Sequence, residues 1–393
     1  MVVSNTAQVH DDGAALPRIT SLDGVRGVAI LLTLVFHSFD SRLSWAVFGE
    51  RGVDLFFVLS GFLITGILIE TRDHPRYFRN FIARRAVRIF PLYYLFLVLM
   101  LFVAPVIVNH LPSFVTVPEE FFELQNGPDG LWTVWVYLQN FVLGRGPHQL
   151  PGLGHLWSLA VEEQFYLFWP VVMYFVPAPS RLRWFCIGIL GSMTLRTALL
   201  WGGVINTYGA REYTFNRLDT LLIGACGALY LRDPKAREFI GTILGWVARP
   251  IVMAPILLIG LMPIWTVSDV FPNFAYGPGL TLLALVFLLY VVRAAQGQLG
   301  PRVERATNWP FNLVLGKYSY AMYLFHFPIA HTMQSTMSKL GDRLGPIGQL
   351  VGSAVSFGVT LGASLLIARI TWVLWEEPWL RFKKRFAYRP IET

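Results

Sequence analysis

Cysteine is nearly missing from this chain: Cys186 and Cys226 are the only two in 393 residues, too few for a disulfide framework. Both lie inside apolar runs and neither belongs to a metal-ligand spacing, so no metal centre is expected. Charge is scarce as well. Only 14% of residues are Asp, Glu, Lys or Arg, against about a quarter in soluble domains. The sequence has no Gly-rich phosphate loop, no zinc signature and no G-x-S-x-G elbow, which removes the commonest phosphate-binding and hydrolase signatures. The first twenty residues lack the apolar core of a cleavable leader, leaving the first apolar run as an uncleaved insertion signal. No internal repeat or low-complexity tract is visible, as a transporter made of two similar halves would be expected to show.

What is present is apolar. Hydrophobic residues make up 54% of the chain and the mean hydropathy is +0.52, values that belong to a membrane protein. Runs near 24–44, 52–71, 89–109, 157–177, 184–205, 214–231, 249–266, 275–293, 318–338 and 348–375 approach the length of a spanning helix. The connections alternate in charge. Arg72, Arg76, Arg79, Arg84, Arg85 and Arg88 follow the second run, whereas the next connection carries Glu119, Glu120, Glu123 and Asp129 with no Lys or Arg. Arg181 and Arg183 follow the fourth run, Arg232, Lys235 and Arg237 the sixth, Arg293, Arg302, Arg305 and Lys317 the eighth, and RFKKRF the tenth. The pattern predicts an all-α membrane protein, a single bundle of about ten transmembrane helices with both termini cytoplasmic. Residues 1–20 form a cytoplasmic tail, 21–380 the transmembrane domain and 381–393 a basic cytoplasmic tail. The formal charge of +8 then reflects cytoplasmic loops and anionic lipid rather than nucleic acid. Leu131–Leu143 is aromatic but too short to span and predicts one interfacial or re-entrant helix on the outer side.

Polar residues inside such a bundle are costly and mark function or helix-to-helix contacts. The first run, LDGVRGVAILLTLVFHSFD, holds Arg26 and His37 eleven residues apart, about 16 Å along a helix. Asp23 is spaced to pair with Arg26, and Asp40, one turn beyond His37, to fix its tautomer. In FIARRAVRIFP, Arg84, Arg85 and Arg88 fall within about one turn, a grouping that suits phosphate oxygens as well as a positive-inside flank. Glu162 and Glu163 are adjacent acids in HLWSLAVEEQFYLFWP and point about 100° apart, so they cannot share one role. Asp54 and Ser60 on the second run and His326 on the ninth, just before Pro328, are further polar candidates. Arg217 and Asp219 open the sixth run.

These stretches resemble the acyltransferase 3 family of integral membrane acyltransferases across nearly all of residues 18–385. The resemblance rests on RITSLDGVRGVAILLTLVFH, GVDLFFVLSGFLIT, FIARRAVRIFPLYY, LWSLAVEEQFYLFWP, FNRLDTLLIG, LGKYSYAMYLFHFP and WEEPWL, in the family's order. Val25 stands where Leu is frequent and Ala160 where Ser is frequent. The resemblance implies a ten-helix bundle in the cell membrane, bacterial inner membrane in the first instance, that moves an acyl group, often acetyl, to a hydroxyl of a carbohydrate, glycolipid or related natural product. It implies acyl-CoA as the donor substrate, with no permanently bound cofactor. It places Arg26 and His37 on the family's arginine–histidine pattern, Arg84, Arg85 and Arg88 on its arginine stretch, and Trp157, Ser158, Glu162 and Glu163 on its Trp-Ser and Glu-Glu element. Many relatives carry an added periplasmic hydrolase-like domain. The sequence reaches Thr393 without one, so it is expected to finish the transfer itself or to pass the acyl group to a separate extracytoplasmic transferase.

The combined expectation is an acyltransferase in which His37 is the base or, as the alternative, a transient acyl carrier, a glutamate (Glu162 before Glu163) orients or charges it, Arg26 stabilises donor or oxyanion, and Arg84, Arg85 and Arg88 bind the donor phosphates. Asp40, Asp54, Ser60, Trp157, Ser158 and His326 are expected to line the substrate path. The competing expectations are a secondary transporter or flippase, whose proton relay would use the same His and Glu residues, and a donor-passing subunit.

Overall fold

The computed structural model describes residues 19–39, 44–108, 110, 115–116, 118–125, 127–146, 150, 152–261 and 273–388, and every regular element among them is helical. The ten principal helices are α1 (Thr20–Ser38), α2 (Arg51–Thr71), α3 (Tyr77–Val98), α4 (Trp157–Phe175), α5 (Arg181–Trp201), α6 (Thr214–Arg232), α7 (Pro234–Val247), α8 (Pro250–Leu261), α9 (Leu280–Gln296) and α10 (Pro310–Thr371). The last is two helices joined across a break at Gly345, whose φ of 62° suits glycine.

Six helical stretches are long and apolar enough to cross a membrane: Thr20–Ser38, Ala46–Thr71, Tyr77–Val108, Ala178–Trp201, Ala275–Gln296 and Arg343–Phe382. A seventh forms if α7 and α8, bent by 76°, act as one broken span. The chain is therefore a multi-pass membrane protein. The other expected spans exist as α4, α6 and the first half of α10 but lie outside that apolar set among the described residues. The physical reason is their cargo. Glu162, Glu163 and Gln164 sit on α4, Arg217 and Asp219 on α6, and the side chains of Arg217, Asp219 and His326 are fully buried against other helices.

Local sequence explains where helices begin. Asp233 accepts from the backbone N–H groups of Lys235 and Ala236 at 2.8 and 3.3 Å, capping α7, and Pro234 occupies its first turn. Asp23 in the first turn of α1 complements the helix dipole. The first span begins earlier than expected, at Thr20, because the polar TSLDG segment is already helical. The third does too: α3 starts at Tyr77, so Arg84, Arg85 and Arg88 lie on the helix itself and not in the connection before it.

The segment expected on the outer side differs from expectation. Leu131–Val136 is a tight 3₁₀ turn and Gln139–Leu143 a short α-helix, separated at Tyr137 with φ 56°. The single interfacial helix is thus two turns with a left-handed residue between them. Tyr137 is held there by stacking on Tyr93 at 4.4 Å and by Gln164, which donates to its carbonyl at 2.7 Å.

Helix α1 lies along α10, while α6 packs on α2 and α5. Backbones touch at these crossings. A Cβ on Gly27 would fall 2.0 Å from the Asn312 carbonyl oxygen, and one on Gly61 1.9 Å from that of Leu221. Small residues at crossings are how membrane helices gain van der Waals contact. The α1–α10 contact brings the His37 end of α1 against His326, Phe327 and His331 in the first half of α10.

Candidate functional site

Pro328 has no N–H, so the carbonyl of Leu324 four residues earlier loses its helical partner. His155, entering from the turn before α4, takes that place: its Nε2 lies 3.1 Å from the Leu324 oxygen and must carry the proton. His326 is fixed in the opposite sense. Its Nδ1 lies 2.7 Å from the Tyr323 carbonyl and 3.2 Å from that of Met322, both acceptors, so Nδ1 bears the hydrogen. His155 Nδ1 and His326 Nε2 are both buried and have no hydrogen-bond partner among the described residues. Two imidazole lone pairs therefore stay open within the bundle.

His37 joins them. Its ring centre is 5.1 Å from His326, 4.9 Å from Phe327 and 6.4 Å from His331. His155 stacks on Phe327 at 4.7 Å and lies 5.6 Å from His326. Half of the eight histidines in the chain thus meet at one place. The charged or titratable groups acting most strongly on His37 are His326, His331, His155 and Arg211, with no carboxylate among them in the described residues.

A second polar cluster forms nearer the other end of α1. Arg26 donates to Asp23 at 2.6 Å, the pairing expected from their spacing. Arg88 faces Arg26, Arg85, Glu376 and Asp23. The Arg85 guanidinium lies 5.5 Å over the Tyr166 ring. Glu162 meets Ser60, Tyr166, Arg85 and Arg26, and the Ser60 and Tyr166 hydroxyls are 2.5 Å apart. Glu163 is set between Glu162, Arg85 and a tyrosine wall that includes Tyr93, Tyr137 and Tyr320. The structure therefore groups the glutamates with the arginines, whereas the sequence expectation had joined Glu162 to His37. Arg84 is turned aside: its Nη1 donates to the Phe386 carbonyl at 3.4 Å and its guanidinium covers Tyr388 at 5.7 Å.

One turn of α4 lies between the two clusters. Tyr323 donates its hydroxyl proton to the His155 carbonyl at 2.8 Å, so Ser158, 2.6 Å from that hydroxyl, must be the donor in their contact. Ser158 stands four residues before Glu162 on the same face. Trp157 packs edge-on against Phe57 at 5.7 Å and lies under Arg211 at 5.9 Å.

Asp54 is committed elsewhere. It forms a buried ion pair with Arg217 and lies 3.5 Å from Arg51, beside Glu50, Arg211 and Glu212. Arg196 and Asp219 form a second, fully buried bidentate pair at 2.9 and 2.8 Å. These sets lock helices together. Asp40 lies outside the described residues. Sequence reasoning did not single out His155, His331, Tyr166, Tyr323, Arg211 or Glu376. For His155 a signal existed, since it precedes Ser158 by three residues in HLWS; for Glu376 it was the WEEPWL stretch.

The fold and its buried polar clusters define a polytopic helical membrane protein with polar residues gathered inside the bundle, basic toward one end and imidazole-rich toward the other. The chain belongs to the acyltransferase 3 family, whose model, described as an acyltransferase domain, matches residues 19–369. It is 28% identical over 328 residues to the peptidoglycan O-acetyltransferase OatA of Listeria monocytogenes serovar 1/2a, covering 79% of this chain and 49% of that protein. It is 29% identical over 340 residues to the Bacillus subtilis (strain 168) protein named "Putative peptidoglycan O-acetyltransferase YrhL", covering 82% and 50%. A third relative, "Putative O-acetyltransferase SACOL0978" of Staphylococcus aureus (strain COL), is 26% identical over 327 residues, covering 81% and 51%. The chain spans about half the length of these curated relatives. No solved structure matches it.

Proposed function

We propose that the protein is a membrane O-acyltransferase that carries an acetyl group from acyl-CoA on the cytoplasmic side to a hydroxyl of an envelope glycan. The observation that carries this reading is the pair of polar clusters. Arg26, Arg85 and Arg88 gather at one end of the path, and His37 with three further histidines gathers at the other. Guanidinium groups suit the forked recognition of phosphate oxygens. A neutral imidazole suits removal of a hydroxyl proton. In this reading Arg85 and Arg88 hold donor phosphates, while Arg84 shapes the mouth together with the C-terminal residues. Arg26 offers positive charge to the thioester. Glu162 and Glu163 hold the arginines in place, with Ser60 on the wall between. Trp157, Ser158 and His326 line the route toward His37, and Asp54 supports it from the ion-paired layer behind.

The bundle would cross the membrane ten times with both termini cytoplasmic, residues 21–380 being the transmembrane domain between the tails 1–20 and 381–393. Names of two relatives include peptidoglycan, which makes cell-wall glycan the first acceptor to test. The acyl group is bound only in transit, as substrate, and no resident cofactor enters the scheme. A separate extracytoplasmic transferase would serve as partner if the acceptor lies beyond reach of His37.

The experiment is an incubation of purified protein with acetyl-labelled acetyl-CoA and isolated peptidoglycan. Wild-type protein should release CoA and place label on the glycan, while His37→Ala should inserted and folded lose about a hundredfold or more of the rate. A secondary transporter would leave the thioester intact in both. Full activity in His37→Ala would remove His37 from the reaction.

A further inference from the structure

We infer that His326 is the positioning partner of His37, filling the place that a carboxylate fills in a serine-hydrolase triad; the inference rests on His37 being the base. A base that takes a hydroxyl proton becomes an imidazolium, and something must orient it beforehand and carry the added charge afterwards. Among the described residues, which do not include Asp40, the charged or titratable groups around His37 are His326, His331, His155 and Arg211. Arg211 is a cation and cannot do this. It is also committed to Glu50 and Glu212 at 2.7 and 2.6 Å. His155 faces Phe327 and His326 first.

His326 has the necessary chemistry. Its Nδ1–H is spent on two main-chain carbonyls, so its tautomer cannot exchange without breaking both bonds. That leaves Nε2 as a pure acceptor, fully buried and without a partner among the described residues. An imidazole nitrogen lies about 1.1 Å from its ring centre, so an in-line N–H···N bond of about 2.9 Å separates two centres by roughly 5.1 Å. The rings of His37 and His326 are 5.1 Å apart and tilted by 55°. The centres already stand at bonding distance, and a rotation of His37 about its side-chain torsions is what closes the contact.

The step balances as follows. The N–H of neutral His37 donates to His326 Nε2, which leaves the other His37 nitrogen with its lone pair facing the acceptor. That nitrogen takes the hydroxyl proton as the oxygen attacks the thioester carbon. The C–O bond forms, the C–S bond breaks, and the imidazolium returns its proton to the departing CoA sulfur. His326 gains no proton and serves throughout as the hydrogen-bond acceptor for His37.

Two substitutions separate this role from a packing role. In His326→Asn the side-chain amide can still donate to the Tyr323 carbonyl but offers no acceptor at the Nε2 position. In His326→Gln the longer amide places an oxygen there. The readout is CoA thiol release from acetyl-CoA, with isolated peptidoglycan as acceptor, by the full chain in lipid nanodiscs. The expected result for His326→Asn is a fall in kcat of about a hundredfold with an unchanged KM for acetyl-CoA and an unchanged melting temperature. Its kcat–pH profile should lose the wild-type shape, and His326→Gln should regain at least tenfold of the lost rate. A wild-type kcat and profile in His326→Asn would overturn the inference while leaving His37 as base. Equal losses in the Asn and Gln variants with a lowered melting temperature would assign His326 to packing. Activity retained in His37→Ala would instead remove His37 as the base, and an intact thioester with wild-type protein would fell the proposed function itself.

Discussion

Arg196 and Arg85 show two uses of the same residue inside one bundle. Arg196 is fully buried, forks onto both oxygens of Asp219 and also donates to the Gly277 carbonyl and Thr281. Its charge is neutralised and its donors are occupied. Arg85 has glutamates nearby, but it shares its cluster with two further arginines, Arg26 and Arg88. The first arrangement is a lock; in the second, under the proposed function, the guanidinium groups would also meet a ligand. Replacing one partner of a buried pair leaves the other charge stranded, at a cost of about 3–5 kcal/mol. Arg196→Ala should therefore lower thermal stability in detergent sharply. Arg85→Ala should melt close to wild type yet weaken acetyl-CoA binding by about 10- to 100-fold, the value of one or two hydrogen bonds to a charged group. Calorimetric titration with acetyl-CoA, run beside a melting curve for each variant, reads both. If the effects were exchanged, Arg196 would be the ligand-facing residue and Arg85 the structural one.

Helices are held in register by contacts that no side chain mediates. Gly27 and Gly316 face each other's helices so closely that a Cβ on Gly316 would fall 1.8 Å from the Asp23 carbonyl oxygen. This crossing of α1 on α10 also fixes how far His37 stands from His326. Gly27→Ala should force the helices apart, destabilising the protein by about 1–3 kcal/mol and reducing turnover more than its effect on melting explains. Gly191→Ala, where an added Cβ meets nothing within 4 Å, is the control on α5. A Gly27→Ala protein that melts and turns over like the control would show that α1 and α10 have slack. Such crossings were not legible from the sequence, although the helices themselves were. Apolar runs announced α1, α2, α5 and α9 because lipid-facing helices must be apolar along most of their length. The break at Tyr137 was hidden, since a tyrosine at positive φ is held by stacking on Tyr93 and not by its own preference. The site was half legible. Intramembrane Arg26, His37, Glu162 and His326 stood out as costly residues, but which of them meet depends on α10 lying along α1. His155 escaped notice because its use depends on Pro328 freeing a carbonyl 169 residues away from it.

At the scale of the whole molecule, composition and environment pull in different directions. Six helices, or seven with the bent pair, are apolar enough to face lipid on their own. The charge alternation of the connections calls for ten crossings. The two counts agree if α7 and α8 together make one span and α4, α6 and the first half of α10 cross the membrane as inner helices, their polar groups shielded by neighbours. Burial supports this: Asn216, Arg217, Asp219 and Thr220 on α6 all have no exposed surface. A polar helix enclosed by apolar ones costs little, because its ionic groups are satisfied by protein and not by lipid. The ten-crossing arrangement makes a sharp prediction. With Cys186 and Cys226 replaced by alanine, single cysteines can be placed at the exposed positions Arg79, Glu123, Arg237 and Arg381. A membrane-impermeant maleimide added to intact cells should label Glu123→Cys alone, and Arg79→Cys, Arg237→Cys and Arg381→Cys should react only after lysis. Labelling of Arg237→Cys from outside would mean that α4, α5 and α6 make an even number of crossings, so that one of them does not span. The same result would place the α6–α7 connection outside and break the alternation on which the cytoplasmic entry of the donor depends.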